Sequence, residues 1–270
     1  MLRIHDRPLP TSIAAKLREY QNAVDEFPTF AGRVEEAKRK FSATNKSTNP
    51  VFKVVRQTLD EMCRGARRCM YCEDSVADEI EHFKPKDFYP SQAFAWGNYL
   101  YACGPCNVGK NNKFPLISER SGLIIYLRRR PGEEPFEPDP GDAVLPDPRK
   151  DDPLEYLQLD LIDTFYFQPL DPNSLSIRHL RACETIETLC LNSRDYLCRA
   201  RAEAFHSYSA RLDQYIQWRK AGVAQETLER LRDSLRRMGH PTVWAEMKRQ
   251  RHRLPQLRRL FEEAPEALEW

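Results

Sequence analysis

Cys69-Met-Tyr-Cys72, Glu81-His82, Trp96-Gly-Asn98-Tyr99, Cys103-Gly-Pro-Cys106-Asn107 and Lys110-Asn-Asn-Lys-Phe-Pro115 follow one another within residues 69 to 115, and the architecture of the chain turns on them. Two C-x-x-C pairs, with 30 residues between Cys72 and Cys103, have the spacing of one tetrahedral zinc. Each pair folds its own two thiolates onto the metal, and the loop between need only return. Gly104 and Pro105 allow the tight turn that aims both sulfurs of the second pair. A module this short buries too little apolar surface to fold alone, and a structural metal contributes folding free energy directly. Two disulfides are the competing pairing. Cys63, upstream of the first pair, is an extra thiol that reads as packing or as a decoy ligand.

The 270 residues can bury a substantial core as one large domain or two small ones. No apolar run approaches the roughly 20 residues that span a bilayer, so no membrane partner is expected. The first eight residues lack the apolar core of a signal peptide. A cytoplasmic protein is therefore expected, where paired cysteines favour metal over disulfide. Net charge is only +2, but it is unevenly placed: residues 131–172 hold 12 acids against two bases, and residues 194–260 hold 16 bases against seven acids. The basic stretch suits a phosphate backbone, an acidic partner or a solvated helical surface.

Periodicity fills in the rest. Residues 1–8 read as a short strand. Thr11 or Ser12 caps a helix to about Glu26, a second helix runs from Phe30 to Phe41, and the polar stretch 42–49 reads as a loop. Pro50 opens a third helix with Phe52, Val55, Leu59 and Met62 on one face, stopping at Gly65. Residues 122–127 fit a helix or a strand. Residues 131–153, with seven prolines, read as a linker or long surface loop. A strand pair is expected within 154–170, and helices thereafter, with Gly222 and Gly239 as stops. Cys183, Cys190 and Cys198 read as small buried hydrophobes. The organisation predicted is 1–65, an N-terminal helical region; 66–120, the zinc-knuckle module; 121–173, an acidic Pro-rich segment with a strand pair; and 174–270, a basic helical region.

The module as a whole resembles the HNH endonuclease family, the ββα-metal class in its zinc-knuckle form. The resemblance rests on Ile80-Glu-His-Phe-x-Pro85, Trp96-x-Asn-Tyr-Leu100, Cys103-x-x-Cys-Asn107 and Lys110-Asn-Asn-Lys-Phe-Pro115 in that order and spacing. Asp152-Pro153 and Thr185-Ile-x-x-Leu189 leading into Leu191-Asn192-Ser-Arg194 extend it toward the PtuB-like HNH subunits of Septu-type and retron-associated anti-phage systems. The resemblance implies a mainly α protein with a small α+β insert, the ββα-metal module held by a four-cysteine zinc.

Cleaving a phosphodiester needs a deprotonated water and positive charge on the leaving oxygen. By the resemblance, His82 is the general base and Asn98 holds the loop that orients it. Glu81 and Asn107 carry the catalytic Mg²⁺ or Mn²⁺, and Cys69, Cys72, Cys103 and Cys106 carry the structural Zn²⁺. Lys84, Lys110 and Lys113 are expected on DNA phosphates. The acid is Glu where the family more often has Asp, and Asp78 competes with Glu81 for its role, as Asn111 and Asn112 do with Asn107. The implied activity is metal-dependent hydrolysis of DNA, with an ATPase partner (PtuA-like). A stand-alone restriction or mobile-element nuclease and a non-catalytic zinc-stabilised scaffold are the competing readings.

Overall fold

The computed structural model describes residues 1–63, 67–74, 76–130 and 132–270. The chain is mainly helical with small antiparallel sheets, and it divides into two compact units. Among the described residues no helix is long and apolar enough to cross a membrane.

One unit comprises residues 3–63 and 76–153. Helices α1 (Thr11–Asp25), α2 (Phe30–Thr44) and α3 (Pro50–Met62) open it. Asn49 caps α3 by accepting from the amides of Val51 and Phe52, with Pro50 at the first helical position, where its missing N–H costs nothing. Phe52, Val55 and Leu59 lie about one helical turn apart and are fully buried. Burying each contributes about 1.5–3 kcal/mol. Strand β1 (Glu79–His82) pairs antiparallel with β2 (Tyr99–Ala102), Glu81 opposite Leu100 and His82 opposite Tyr99. Helix α4 (Gly104–Lys110) follows directly and packs on β1. Beyond it, β3 (Pro115–Ser118) is flanked by β4 (Ile124–Tyr126) and β5 (Gly141–Ala143), both antiparallel to it.

The other unit comprises residues 1–2, 64–75 and 154–270. It holds the hairpin β6 (Leu157–Leu159) and β7 (Phe167–Pro169) and helices α5 (Ile177–Thr188), α6 (Asp195–Lys220), α7 (Gln225–Arg236), α8 (Pro241–Arg249) and α9 (Pro255–Glu263). The long α6 carries the core residues Phe205, Tyr208, Leu212 and Ile216 and packs against α7, α8 and α9. Its Arg201, 2% exposed, donates to the carbonyls of Phe165 and Leu191, so a buried charge meets backbone oxygens. Part of the positive charge of 194–260 is paired within this unit: Arg219 pairs with Glu266, Lys220 with Glu263, Arg230 with Glu226, Arg249 with Glu246 and Arg259 with Asp213.

Several expectations are corrected. Residues 1–10 form no strand; Ile4 makes one backbone hydrogen bond, to the Pro148 carbonyl, rather than a ladder. Pro10, not Thr11 or Ser12, occupies the cap of α1, and α2 continues through Thr44 into the polar stretch. Residues 131–153 are not simply a surface loop: β5 pairs with β3, and residues 144–149 are buried. Residues 124–126 settle as strand. Gly222 takes a positive φ of 71°, as a helix stop requires, whereas beyond α7 the left-handed residue is His240 rather than Gly239. Of the three cysteines expected on helices, Cys183 and Cys198 are helical and Cys190 lies in the turn after α5 at a positive φ; only Cys198 is buried, Cys183 is exposed and Cys190 half-buried. Gly65 lies outside the described residues.

Candidate functional site

Four thiols come together first. The Sγ atoms of Cys69, Cys72, Cys103 and Cys106 all lie within 4.8 Å of one another, and all four residues are buried. Cys103 stands immediately before α4 and Cys106 in its first turn, where Pro105 fixes the backbone and the Cys106 amide donates to the Cys103 carbonyl at 3.1 Å. A tetrahedron with Zn–S of about 2.3 Å separates its sulfurs by about 3.8 Å. The cluster therefore fits a structural metal such as zinc with small adjustments. Cys63 stands apart, its thiol directed at the Leu59 carbonyl at 3.4 Å, and none of the cysteines is in a disulfide.

The hairpin and α4 build the second constellation. Alternation along β1 places Glu79 and Glu81 on one face, and Asn107 and Lys110, three residues apart on α4, meet them. The Asn107 amide donates to the Glu79 carboxylate. The Lys110 ammonium lies 2.6 Å from Glu81 Oε1 and donates also to the His82 carbonyl at 2.9 Å. Lys110 is 0% exposed and Glu81 5%. Burial pushes the Glu81 carboxyl above its ordinary range, and the Lys110 ammonium pulls it part of the way back. Lys110 is thus not on the surface where a phosphate backbone would lie, which corrects that expectation: its tether to Glu81 and the His82 carbonyl turns it inward.

His82 faces the other side of β1. Its Nε2 donates to the Ala93 carbonyl at 2.9 Å, an oxygen that also accepts from the Tyr99 hydroxyl. The ring packs edge-on against Phe41, centroids 4.4 Å apart, and Tyr99 at 5.3 Å. It is 4% exposed, and burial holds its pKa down to about 3, so the imidazole is neutral at any ordinary pH. Asn98 accepts from the Lys84 amide at 2.7 Å and donates to the carbonyls of Lys84 and Gln92 at 3.0 Å each. It thereby clamps the loop that leaves His82. Lys84 lies over the Tyr89 ring at 5.1 Å, and Lys113 is exposed. Of the competing residues, Asp78 is exposed before the strand, Asn111 closes α4 at a positive φ, and Asn112 bonds to Asp87.

Two participants escaped the sequence reading, and a third, Glu79, which strand alternation puts on the face away from His82, has no role in it. Lys86 lies over the Phe41 ring at 5.2 Å and its charge acts on both Glu81 and His82; burial lowers its own pKa. Arg149, from the acidic segment, donates to the carbonyls of Trp96 and Tyr99 at 2.7 and 2.8 Å, pairs with Asp6 and stacks on Trp96 at 4.5 Å. No local pattern announced that a lone arginine among prolines would brace β2.

Two carboxylates and an amide on facing surfaces of β1 and α4 are the oxygen donors a hard divalent cation takes. The Lys110 ammonium already stands at Glu81 as a positive charge, so a metal ion binding that carboxylate competes with it.

Comparison with known proteins gives one partial likeness. The Septu protein PtuB of Bacillus thuringiensis is 40% identical over 60 residues, a match that spans 19% of this chain and 23% of that protein. The chain therefore aligns with under a quarter of that relative's length, and the likeness suggests a Septu-like relation. No family model matches the chain, and no solved structure matches it.

Proposed function

We propose that this chain is a metal-dependent HNH-type endonuclease that hydrolyses DNA, the nuclease component of a Septu-like anti-phage system that acts with an ATPase partner. The observation that carries the reading is the juxtaposition of Glu79 and Glu81 with Asn107 across β1 and α4, with His82 next in the chain and the four-thiol cluster at the start of the same helix. In this reading Glu81 and Asn107, joined by Glu79, hold Mg²⁺ or Mn²⁺. The ion, when bound, supplies positive charge to the scissile phosphate.

The residues of the chain do the rest. His82 stays neutral, with Nε2–H fixed on the Ala93 carbonyl, which leaves Nδ1 as the atom able to take a proton. Asn98 keeps the 84–92 loop in place around it. The ring is enclosed by Phe41 and Tyr99, so the arrangement is a resting one, and water reaches His82 when DNA or the partner shifts that loop. The partial likeness to PtuB supports the defence role and the need for a second protein.

The test is digestion of supercoiled plasmid by the purified chain with Mg²⁺ or Mn²⁺, alone and with the neighbouring gene's product. Nicking that requires the cation and disappears in His82→Ala is the expected result. The burial of His82, 4% exposed, favours the second reading, a zinc-stabilised scaffold that does not cut. Absence of cutting under every condition, by protein holding zinc, would establish that reading instead.

A further inference from the structure

We infer that the open cleft between the end of α4 and the Arg128-Arg129-Arg130 run after β4 seats the phosphate backbone of duplex DNA. The inference rests on the nuclease reading for its choice of substrate; the cleft itself stands on geometry. It has a volume of about 1040 Å³ and is lined by Lys113, Arg128, Arg129 and Arg130 against two carboxylates, Asp87 and Glu133.

Each carboxylate takes up part of that charge, and four bases against two acids leave the wall with positive charge in excess. Asp87, 6% exposed, is spent on Lys38, on the Asn112 amide and on Arg129, whose Nη2 lies 3.3 Å away. Arg129 is held further by the Glu133 carbonyl at 3.2 Å, so its planar guanidinium is fixed within the wall. Glu133 spends one oxygen on the Arg130 amide at 2.8 Å, and its other oxygen stands 3.9 Å from the Arg130 Nε. The Arg130 side chain remains 88% exposed. Arg128 and Lys113 are exposed as well. The exposed Lys113, Arg128 and Arg130 are suited to a line of phosphates, where long flexible cations follow the strand, and the anchored Arg129 fixes the wall behind them. Asn111 adds an exposed amide at the mouth.

What favours this cleft over the basic helices at the C-terminus is its place beside α4, the helix that carries Asn107. A backbone lying in the cleft runs along the outer side of α4, past Val108 and Gly109, on the helix whose inner side carries Asn107.

The experiment is fluorescence anisotropy with a labelled short DNA duplex and the full chain, without added Mg²⁺ or Mn²⁺, over a series of salt concentrations. The chain combining Lys113→Gln, Arg128→Gln and Arg130→Gln is expected to bind at least about tenfold more weakly near 0.1 M salt. The slope of log affinity against log salt should fall by about 2–3, near 0.9 for each phosphate no longer neutralised. All three side chains are exposed, so its urea midpoint should match the parent chain. A second chain with Arg236→Gln and Arg237→Gln at the end of α7 and Arg253→Gln in the turn between α8 and α9 should bind as the parent does. Unchanged affinity and slope in the first chain, or weakening confined to the second, would overturn the cleft; so would tighter binding of an RNA hairpin than of the duplex. Weakened duplex binding in the first chain, with no plasmid cutting by the parent either alone or with the neighbouring gene's product, would keep the cleft and remove the nuclease reading. Cutting that survives with unaltered binding would do the reverse.

Discussion

Lys110 and Glu81 form an ion pair, Nζ to Oε1 at 2.6 Å, with side chains 0% and 7% exposed. Taking both charges out of water is costly, and their attraction offsets that cost only while both are present. The pair therefore works as a latch between α4 and β1 that is sensitive to the loss of either half.

Lys110→Met should cost about 3–5 kcal/mol, because it strands a buried carboxylate. Combining it with Glu81→Gln should recover part of that loss, since the amide carries no charge to desolvate. Urea denaturation of the two singles and the double gives the coupling. A single variant as stable as the parent would show that the latch contributes nothing to folding.

His82 makes folding sensitive to acid. The unfolded chain's imidazole takes up a proton near pH 6.5, while the folded one stays neutral down to about 3. Between those values the unfolded state binds more protons, so stability is lost as pH falls through that window, by about 3 kcal/mol near pH 4. Denaturation measured without added divalent cation, from neutral pH to about 4, should show this slope in the parent and a shallower one in His82→Gln. Parallel curves would mean that His82 is solvated or charged in the folded chain.

The four thiols predict one zinc per chain by elemental analysis. Cys103→Ser or Cys72→Ser should lower that content and the melting temperature together, as should a strong chelator, because binding free energy at such a cluster is also folding free energy. A metal-free chain with unchanged melting would rule out a structural role for zinc.

Arg149 predicts a non-interchangeable arginine. Its side chain is 3% exposed and divides its donors among Asp6 and the carbonyls of Trp96 and Tyr99. Arg149→Ala should destabilise by about 3 kcal/mol or more. Arg149→Lys should rescue little, because an ammonium cannot span those acceptors or stack on Trp96. Full rescue by lysine would reduce the site to a point charge.

The helices were legible because their signals are local: Asn49-Pro50 marks the start of α3 and Val55 and Leu59 mark its face. Four thiols in two C-x-x-C pairs were legible for the same reason. What failed is what depends on distant partners. Val144 and Leu145 sit among prolines and acids that read as loop, yet they are buried beside the strand pairing of β5 with β3. At Gly141 the backbones approach so closely that a Cβ would stand 2.6 Å from the Ile117 carbonyl, a constraint no composition shows. The misplacement of Lys110 was avoidable. Asn107 and Lys110 are three apart on one helix, so a helix that turns Asn107 toward the carboxylates of β1 must turn Lys110 there too. Placing one on a metal and the other on an outside phosphate ignored that periodicity.

The pairing of β1 with β2, His82 opposite Tyr99, has a consequence for how copies of this chain can go wrong. Side chains on a strand alternate, so a slip of a single position would exchange the two faces at once. Ile80 and His82 would turn toward α4, and both glutamates would be driven into the aromatic cluster around Phe41. No partly competent hairpin lies between those outcomes. Errors in making this hairpin are therefore all-or-none, and a cell would meet either the assembled carboxylate–amide face or a chain whose stranded charges mark it for disposal.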